Sequence, residues 1–179
     1  MRERGFLNAI VLLFINYHRI GKIEIKIEKM DYEFIKSRLA PCGLHCGKCF
    51  AFNEGDINQL SKDLRYSFGN FDVYAERFVK MLDEPLFLKY PDFKEMLEFF
   101  SKGKCKGCRK EKCVIFKNCK VRECSEKKAV DFCFECSDFP CNNTGFDEHL
   151  QKRWEAINNN MKENGVESYY NEIKDKSRY

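Results

Sequence analysis

The sequence is poor in the residues that interrupt regular structure. Its 179 residues include only 4 Pro and 10 Gly. A chain that is also 44% hydrophobic and 34% charged does not have the composition of a disordered or low-complexity protein. Its charged residues are mainly lysine and glutamate, which favour helices. We therefore predict a folded, mainly helical protein.

Apolar runs long enough to cross a membrane are also lacking. The run 6–15 ends at Asn16, well short of the roughly 20 residues that a span requires, and no small-residue cleavage site follows it. We predict no membrane span. We interpret residues 1–29 as an N-terminal extension in which 23–29, with alternating apolar and charged residues, is typical of an edge strand. The alternative is that translation begins at Met30.

Motifs of the common enzyme classes are missing as well. The sequence has no phosphate-binding glycine loop, no H-E-x-x-H pattern and no recognisable series of serine, histidine and aspartate. The formal net charge of +4 is too small to indicate nucleic-acid binding by itself. The sequence names no substrate, and we lean towards a protein that is not an enzyme.

Cysteine, in contrast, is abundant: the chain has 11. An odd number favours a reducing compartment over a disulfide-bonded secreted protein, so we expect a cytoplasmic location. Free cysteines often serve as small buried residues. Most of these lie in the short segment 105–141 among lysines and arginines, which favours metal binding instead.

The strongest motif is the C-x2-C pair Cys105 and Cys108. Such a pair presents two sulfurs on one side of a tight turn, and Gly107 relieves that turn. A second pair would complete a tetrahedral zinc site, and we expect Cys119 and Cys124 to supply it. We interpret Cys113 as a spare or alternate ligand.

Six further cysteines form an early and a late group of three. We expect the two groups to meet around a second ion, although the spacing leaves open which sulfurs bind. The early spacing also occurs in radical enzymes that use S-adenosylmethionine, but this chain is too short for their barrel. The six are Cys42, Cys46, Cys49, Cys133, Cys136 and Cys141.

Zinc is the metal we expect, in about two ions. The same thiolates also suit an iron-sulfur cluster or thiol redox chemistry, and these remain alternatives. Eleven lysines and arginines in 101–128 would offset the negative charge of a four-thiolate site. They could instead contact nucleic acid. His45 lies inside the early group, and we expect it to be a neighbour of the ligands and not a ligand.

We predict a single domain over 30–179, with a helical body, a metal lobe at 102–145 and C-terminal helices at 146–176. In the body, 56–101, apolar residues recur at helical intervals, and we expect these stripes to form the core. A capping box is expected at Asp56. The stripe residues are Ile57, Leu60, Leu64, Phe71, Tyr74, Phe78, Met81, Leu82, Phe93, Met96, Leu97 and Phe100.

The C-terminal helices follow from a second apolar periodicity. A helix is predicted from Phe146 to a stop near Gly165, and a shorter one after it. We expect Trp154 to anchor the first of these helices onto the helical body.

The ordered cysteine motifs carry a family resemblance. The chain resembles the cysteine-rich domain of unknown function 3795 over about residues 30–175. The resemblance implies metal binding, with zinc as the expected metal, and no established reaction. Family members often have tyrosine where His45 stands, which argues against that histidine as a ligand. The matching cysteines are 42, 46, 49, 105, 108, 119, 124, 133, 136 and 141, and Cys113 is an addition.

Together these patterns predict a mainly α fold, a small helical domain whose irregular cysteine-rich loops form a zinc-knuckle-like lobe. Its expected function is structural metal binding that serves an interaction with a protein partner. Closed tetrahedral sites leave no position open for substrate. The alternatives are an iron-sulfur or thiol redox protein and a nucleic-acid-binding zinc protein.

Overall fold

The computed structural model describes residues 31–179, so the apolar run 6–15 and the predicted strand 23–29 lie outside the described residues. The described part is mainly helical, as predicted, and it contains no β-strand. Within it, no helix has the length and apolar character needed to cross a membrane. The α-helices are α1 Tyr32–Arg38, α2 Asp56–Phe68, α3 Phe71–Met81, α4 Tyr90–Ser101, α5 Val121–Lys128, α6 Glu148–Asn164 and α7 Val166–Ile173. Short 3-10 turns occur at Cys46–Lys48, Pro85–Lys89 and Cys133–Glu135.

The C-terminal helices are bounded by the capping signals in the sequence. The Asp147 side chain accepts a hydrogen bond of 2.8 Å from the Leu150 amide at the start of α6, which satisfies a free amide of the first turn. The helix ends at Gly165, whose φ of 85° suits glycine. The prediction of a stop at this glycine is confirmed, and the shorter helix α7 follows it.

The start of α2 differs from the prediction. Asp56 is the first residue of α2 and not its cap. Its carboxylate forms ion pairs with Arg38 and Lys48 instead. The helix α4 begins at Tyr90 and includes Pro91 in its first turn, where proline fits because its missing N–H would have no helical partner.

The helical body packs α2 against α4 through polar groups. Asn58 is buried, and its side-chain amide donates hydrogen bonds to the carbonyl oxygens of Phe100 and Ser101, at 3.0 and 2.8 Å. These two carbonyls lie at the end of α4, where the helix itself provides no partner. Aromatic rings close the other end, where the centroids of Phe71 and Tyr90 are 4.9 Å apart.

The predicted apolar stripes of the body are largely exposed, which corrects the expectation that they form the core. Leu60 is 66% exposed and Met96 53% exposed. The residues that α2 buries are Asn58 and Ser61, whereas Leu97 of α4 is buried as expected. Helical periodicity shows that a helix has an apolar face, but it does not show that another element covers that face.

The main core lies between the cysteine loops and the C-terminal helices. Trp154 is 1% exposed and its ring packs edge-on against Phe139, with centroids 5.1 Å apart. It belongs to a buried cluster that includes Ala40, Cys42 and Val121. No buried residue of that cluster comes from 56–101, so the prediction that Trp154 docks α6 onto the helical body is wrong. The helix docks onto the cysteine loops.

One buried amide connects these loops to α6. Asn158 is 0% exposed. Its side-chain nitrogen donates to the carbonyl of Cys42 at 3.1 Å and to that of Trp154 at 2.9 Å. Its side-chain oxygen accepts a bond of 3.1 Å from the Phe134 amide. The early and late cysteine groups are thus fixed to the same helix by one side chain.

Replacing Asn158 with alanine should therefore destabilise the protein strongly. The substitution leaves buried backbone groups of two loops without partners, and we expect unfolding free energy to fall by about 2 to 4 kcal/mol. Urea unfolding followed by circular dichroism measures the loss. The matched control is Asn159→Ala, because Asn159 is exposed on the same helix, and it should change stability by less than about 0.5 kcal/mol. Equal effects of the two substitutions would contradict this role.

Candidate metal centre

Backbone hydrogen bonds gather the cysteine loops. The segment around Phe52 runs alongside Cys105 in a single parallel bridge. The Cys105 amide donates to the Ala51 carbonyl at 2.9 Å, and the Asn53 amide donates to the Cys105 carbonyl at 2.9 Å. Between the early and late cysteine loops, the Cys133 amide donates to the Pro41 carbonyl at 3.0 Å. These bonds place cysteines that are distant in sequence beside one another.

The first thiol cavity, as we name it, lies between the early loop and the metal lobe. Its volume is about 60 Å³. The remaining walls are mostly apolar, with Phe52 and Ile115 among them. The charged residues of the lining are Lys112, Arg122, Glu123 and Arg178. Seven cysteines line it: Cys42, Cys46, Cys49, Cys105, Cys108, Cys113 and Cys119.

The second thiol cavity lies on the other side of α5. It is smaller, about 30 Å³, and Trp154 and Phe139 form part of its wall. Lys128 lies at its edge, where it pairs with Asp138 at 2.7 Å. Four cysteines line this cavity: Cys124, Cys133, Cys136 and Cys141.

This division differs from the predicted grouping. Cys119 lies with Cys105 and Cys108 in the first thiol cavity, but Cys124 lies in the second. The early and late groups line different cavities, so the expectation that they meet around one ion does not match the geometry. Cys113, predicted to be a spare, lines the first thiol cavity with the others.

Three thiols of the first thiol cavity influence one another's pKa values. Cys108 lies between Cys46 and Cys113, and its interaction with each lowers the pKa of Cys46 and of Cys113 while raising its own. Backbone amides also point at the sulfurs: the Gly107 amide donates to Cys105 Sγ at 3.3 Å. Gly107 has a φ of 97°, a conformation that favours glycine, so this residue type allows the turn that the C-x2-C pair needs.

Burial opposes ionisation of other thiols. It raises the pKa of Cys42 and of Cys105, and it raises the pKa of Cys133 to about 11. The indole nitrogen of Trp154 is buried and makes no hydrogen bond of normal geometry. It nevertheless faces the Cys133 sulfur closely enough to lower that pKa in part. A thiolate at Cys133 would give this orphaned donor an acceptor.

The donor set suits a thiophilic metal, although the side chains are not arranged as a finished coordination sphere. In residues 31–179, no three cysteine, histidine or acidic side chains converge closely enough to hold a metal ion. All eleven thiols are free. Thiols bind zinc or iron only as thiolates, so binding would remove protons from buried sulfurs. The amides and the indole that face these sulfurs would stabilise the resulting charge.

Sequence reasoning missed Arg109, which ties the metal lobe to α1. Its Nε donates to the carbonyls of Lys36 and Leu39, both at 2.9 Å. Its guanidinium lies 4.7 Å from the centre of the Phe132 ring, and Phe132 is fully buried. The sequence signal is faint, because Arg109 is one arginine in a segment of many lysines.

Two residues near the C-terminus, Arg178 and Tyr179, were also missed. Arg178 donates a hydrogen bond of 2.6 Å to the His45 carbonyl, and the Tyr179 hydroxyl lies 3.9 Å from Cys49 Sγ. The His45 ring itself is not among the groups that line either thiol cavity. It packs edge-on against Tyr170. Burial and nearby cations lower its pKa to about 4, so it is neutral at pH 7.

The fold and its two thiol cavities define a mainly helical, cysteine-rich class of protein. The chain belongs to the family described as protein of unknown function (DUF3795), whose model matches residues 38–146. The match is shorter than the expected 30–175, but it includes every cysteine of the chain. No curated protein and no solved structure matches the chain.

Replacing Arg109 with lysine should weaken the attachment of the metal lobe. Lysine keeps the charge but loses the planar group that lies over Phe132 and bonds two carbonyls. We expect a loss of about 2 kcal/mol in unfolding free energy, measured in urea. The matched control is Arg122→Lys, since Arg122 pairs with Glu126 along the α5 surface, and it should cost less than about 0.5 kcal/mol. Equal losses would contradict the role of Arg109.

Proposed function

We propose that this protein is a structural zinc protein with two metal sites. The observation that carries the proposal is that every one of the eleven cysteines lines one of two cavities. Cysteines that served only as small buried residues would have no reason to gather in this way. Four thiolates of the first thiol cavity would hold one ion. Cys124, Cys133, Cys136 and Cys141 would hold the other.

The surroundings of the second thiol cavity support a four-thiolate site there. Such a site with a divalent ion carries two net negative charges. Lys128 lies at the cavity edge, and the Trp154 indole faces Cys133 without another partner. A cation and an N–H donor beside a sulfur both favour the thiolate form. A closed site of this kind leaves no ligand position for a substrate.

The proposed role of the metals is to hold the loops together. The cysteine loops contain little regular structure, and their order depends on backbone bonds between distant segments such as Pro41 with Cys133. Zinc binding can supply about 10 kcal/mol or more to a small module. The metals would therefore stabilise the loops that carry α1 and α6.

Metal analysis of the full chain purified without oxygen tests this proposal. We expect about two zinc ions per chain, because two thiol groups are available. Cys108→Ser should remove the ion of the first thiol cavity, and Cys136→Ser that of the second, so each variant should retain about one. Helices 56–101 should remain folded in Cys108→Ser while the 105–124 segment becomes sensitive to protease.

The control for the metal analysis is Ser137→Ala, an exposed neighbour of Cys136 that should keep both ions. Iron in place of zinc, with a brown colour, would establish the iron-sulfur alternative and contradict the zinc proposal. Protein without metal, or with its thiols paired as disulfides, would contradict metal binding altogether. If the ratio of metal to protein were unchanged in both cysteine variants, the proposed groups of ligands would be contradicted.

We further propose that the metal lobe and the helical body together receive a protein partner. A groove of about 720 Å³ is lined by the end of α4, the loop that follows it, residues 50 and 51, and residues 114 and 115. We name it the apolar groove. Phe50, Phe99, Val114 and Ile115 line it, with glutamates and lysines around them. An apolar floor with a polar rim is typical of protein interfaces. The groove would bind a segment of the partner protein that presents apolar side chains.

Some of the basic residues in 101–128 already have partners within the described chain, which makes these particular residues poorer candidates for contacting nucleic acid. Arg109 of the 101–128 segment is held against Phe132. Arg122 and Lys128 pair with Glu126 and Asp138. Cations that already have carboxylate or aromatic partners gain less from binding phosphates.

Site-specific photocrosslinking tests the apolar groove. A benzophenone amino acid at Phe99, which is 60% exposed, should yield a discrete heavier species in cells because its side chain would contact the partner. The control position is Leu60, which is similarly exposed but lies outside the groove. Mass spectrometry of the crosslinked species identifies whether it contains a second protein or a second copy of this chain. Absence of a Phe99-specific product, or crosslinking to this chain alone, would contradict the proposal.

A further inference from the structure

One side of the paired helices α2 and α4 is apolar and exposed. Phe68 of α2 and Phe93 of α4 meet there, with ring centroids 5.7 Å apart. Residues three or four apart share a helix face, so an apolar stripe continues along each helix from this contact. We name the surface formed by both stripes the stripe face. Its members, which are between 42% and 66% exposed, are Leu60, Leu64, Phe93 and Met96.

The positive charges of α2 and α4 lie on the other side of the helix pair. The two helices contain three lysines and arginines, Lys62, Arg65 and Lys94, and all three line one separate cavity. Lys62 is two residues from Leu60, and Lys94 is two residues from Met96. Residues two apart do not share a helix face. The stripe face is therefore without a cation of its own helices.

Carboxylates border the stripe face instead. Asp63 is three residues after Leu60, and Asp92 is four residues before Met96, so each lies beside a stripe residue on the helix surface. Asp63 accepts a hydrogen bond from the Gln59 side chain. Neither carboxylate forms an ion pair within residues 31–179. The rim therefore suits an apolar segment that carries positive charge at its ends.

The chain itself contains a segment of this chemistry. The run 6–15 is apolar except for Asn8, with Arg2 and Arg4 before it and Arg19 and Lys22 after it. A second copy of this chain is a poorer match for the stripe face. If two stripe faces packed together, each would bring the same carboxylates to the shared rim, and like charges repel.

The linking chain is long enough to bring the run to the stripe face. Residues 16–30 can extend to about 50 Å. They lead to α1, which is about 10 Å long. The end of α1 is fixed to the start of α2, because Arg38 pairs with Asp56 and donates to the Glu54 carbonyl at 2.8 Å. Leu60 lies one turn further along α2. A tether of this length gives the run an effective concentration on the order of millimolar.

We propose that the run 6–15 binds to the stripe face of its own chain. Its apolar side chains cover the two stripes, and the arginines at its ends lie near Asp63 and Asp92. Binding removes from water an apolar surface that monomeric proteins rarely leave exposed. This contact involves neither the thiol cavities nor the apolar groove, so it is independent of the metals and of the protein partner.

Photocrosslinking in the purified full-length protein tests this contact. A benzophenone amino acid in place of Leu64 should react with the run, and trypsin should then release a product joined to peptide 5–19. The control position is Tyr66, which is 90% exposed and lines the cavity on the other side of α2. It should give no such product. A mixture of nitrogen-15-labelled and unlabelled protein distinguishes contact within one chain from contact between two copies, which joins peptides of different label.

A matched pair of variants separates specific binding from chance contact with the tethered run. Leu12→Asp should lower the yield of the Leu64 product about tenfold or more, because burying an unpaired carboxylate against apolar groups is costly. Leu12→Met keeps an apolar side chain of similar size and should leave the yield unchanged. The proposal is overturned if the Leu64 position gives no product with peptide 5–19, or if the Tyr66 position gives an equal yield. Products that join only differently labelled chains, or equal yields from the two Leu12 variants, would also overturn it.

Discussion

The architecture depends on giving hydrogen-bond partners to loops that are buried. Loops usually lie at the surface because buried backbone groups without partners are costly. Here the cysteine loops form the centre, and Asn158 joins two of them to α6 through bonds to Cys42 and Phe134. Arg109 does the same for the end of α1. Buried polar side chains thus replace the sheet or helix bundle that organises most small domains.

Polar residues at the centre also explain where sequence reasoning succeeded and failed. The C-terminal helices could be predicted because Asp147, Gly165 and the apolar spacing act locally. Asn58 and Asn158 could not be recognised as buried, since asparagine is mostly exposed in proteins. The prediction that the apolar stripes form the core of the helical body failed for the same reason, because Asn58 is buried while Leu60 is at the surface.

The cysteine grouping was limited by a different factor. Sequence spacing identifies pairs such as Cys105 and Cys108, which share one turn. It does not determine on which side of a following helix the next thiol lies. Cys119 precedes α5 and Cys124 lies within it, so a short step along the chain crosses from one thiol cavity to the other. Val121, between them, contributes to the wall of both. The sequence alone was enough to select the thiols as candidate ligands. Dividing them between the two cavities required the position of α5.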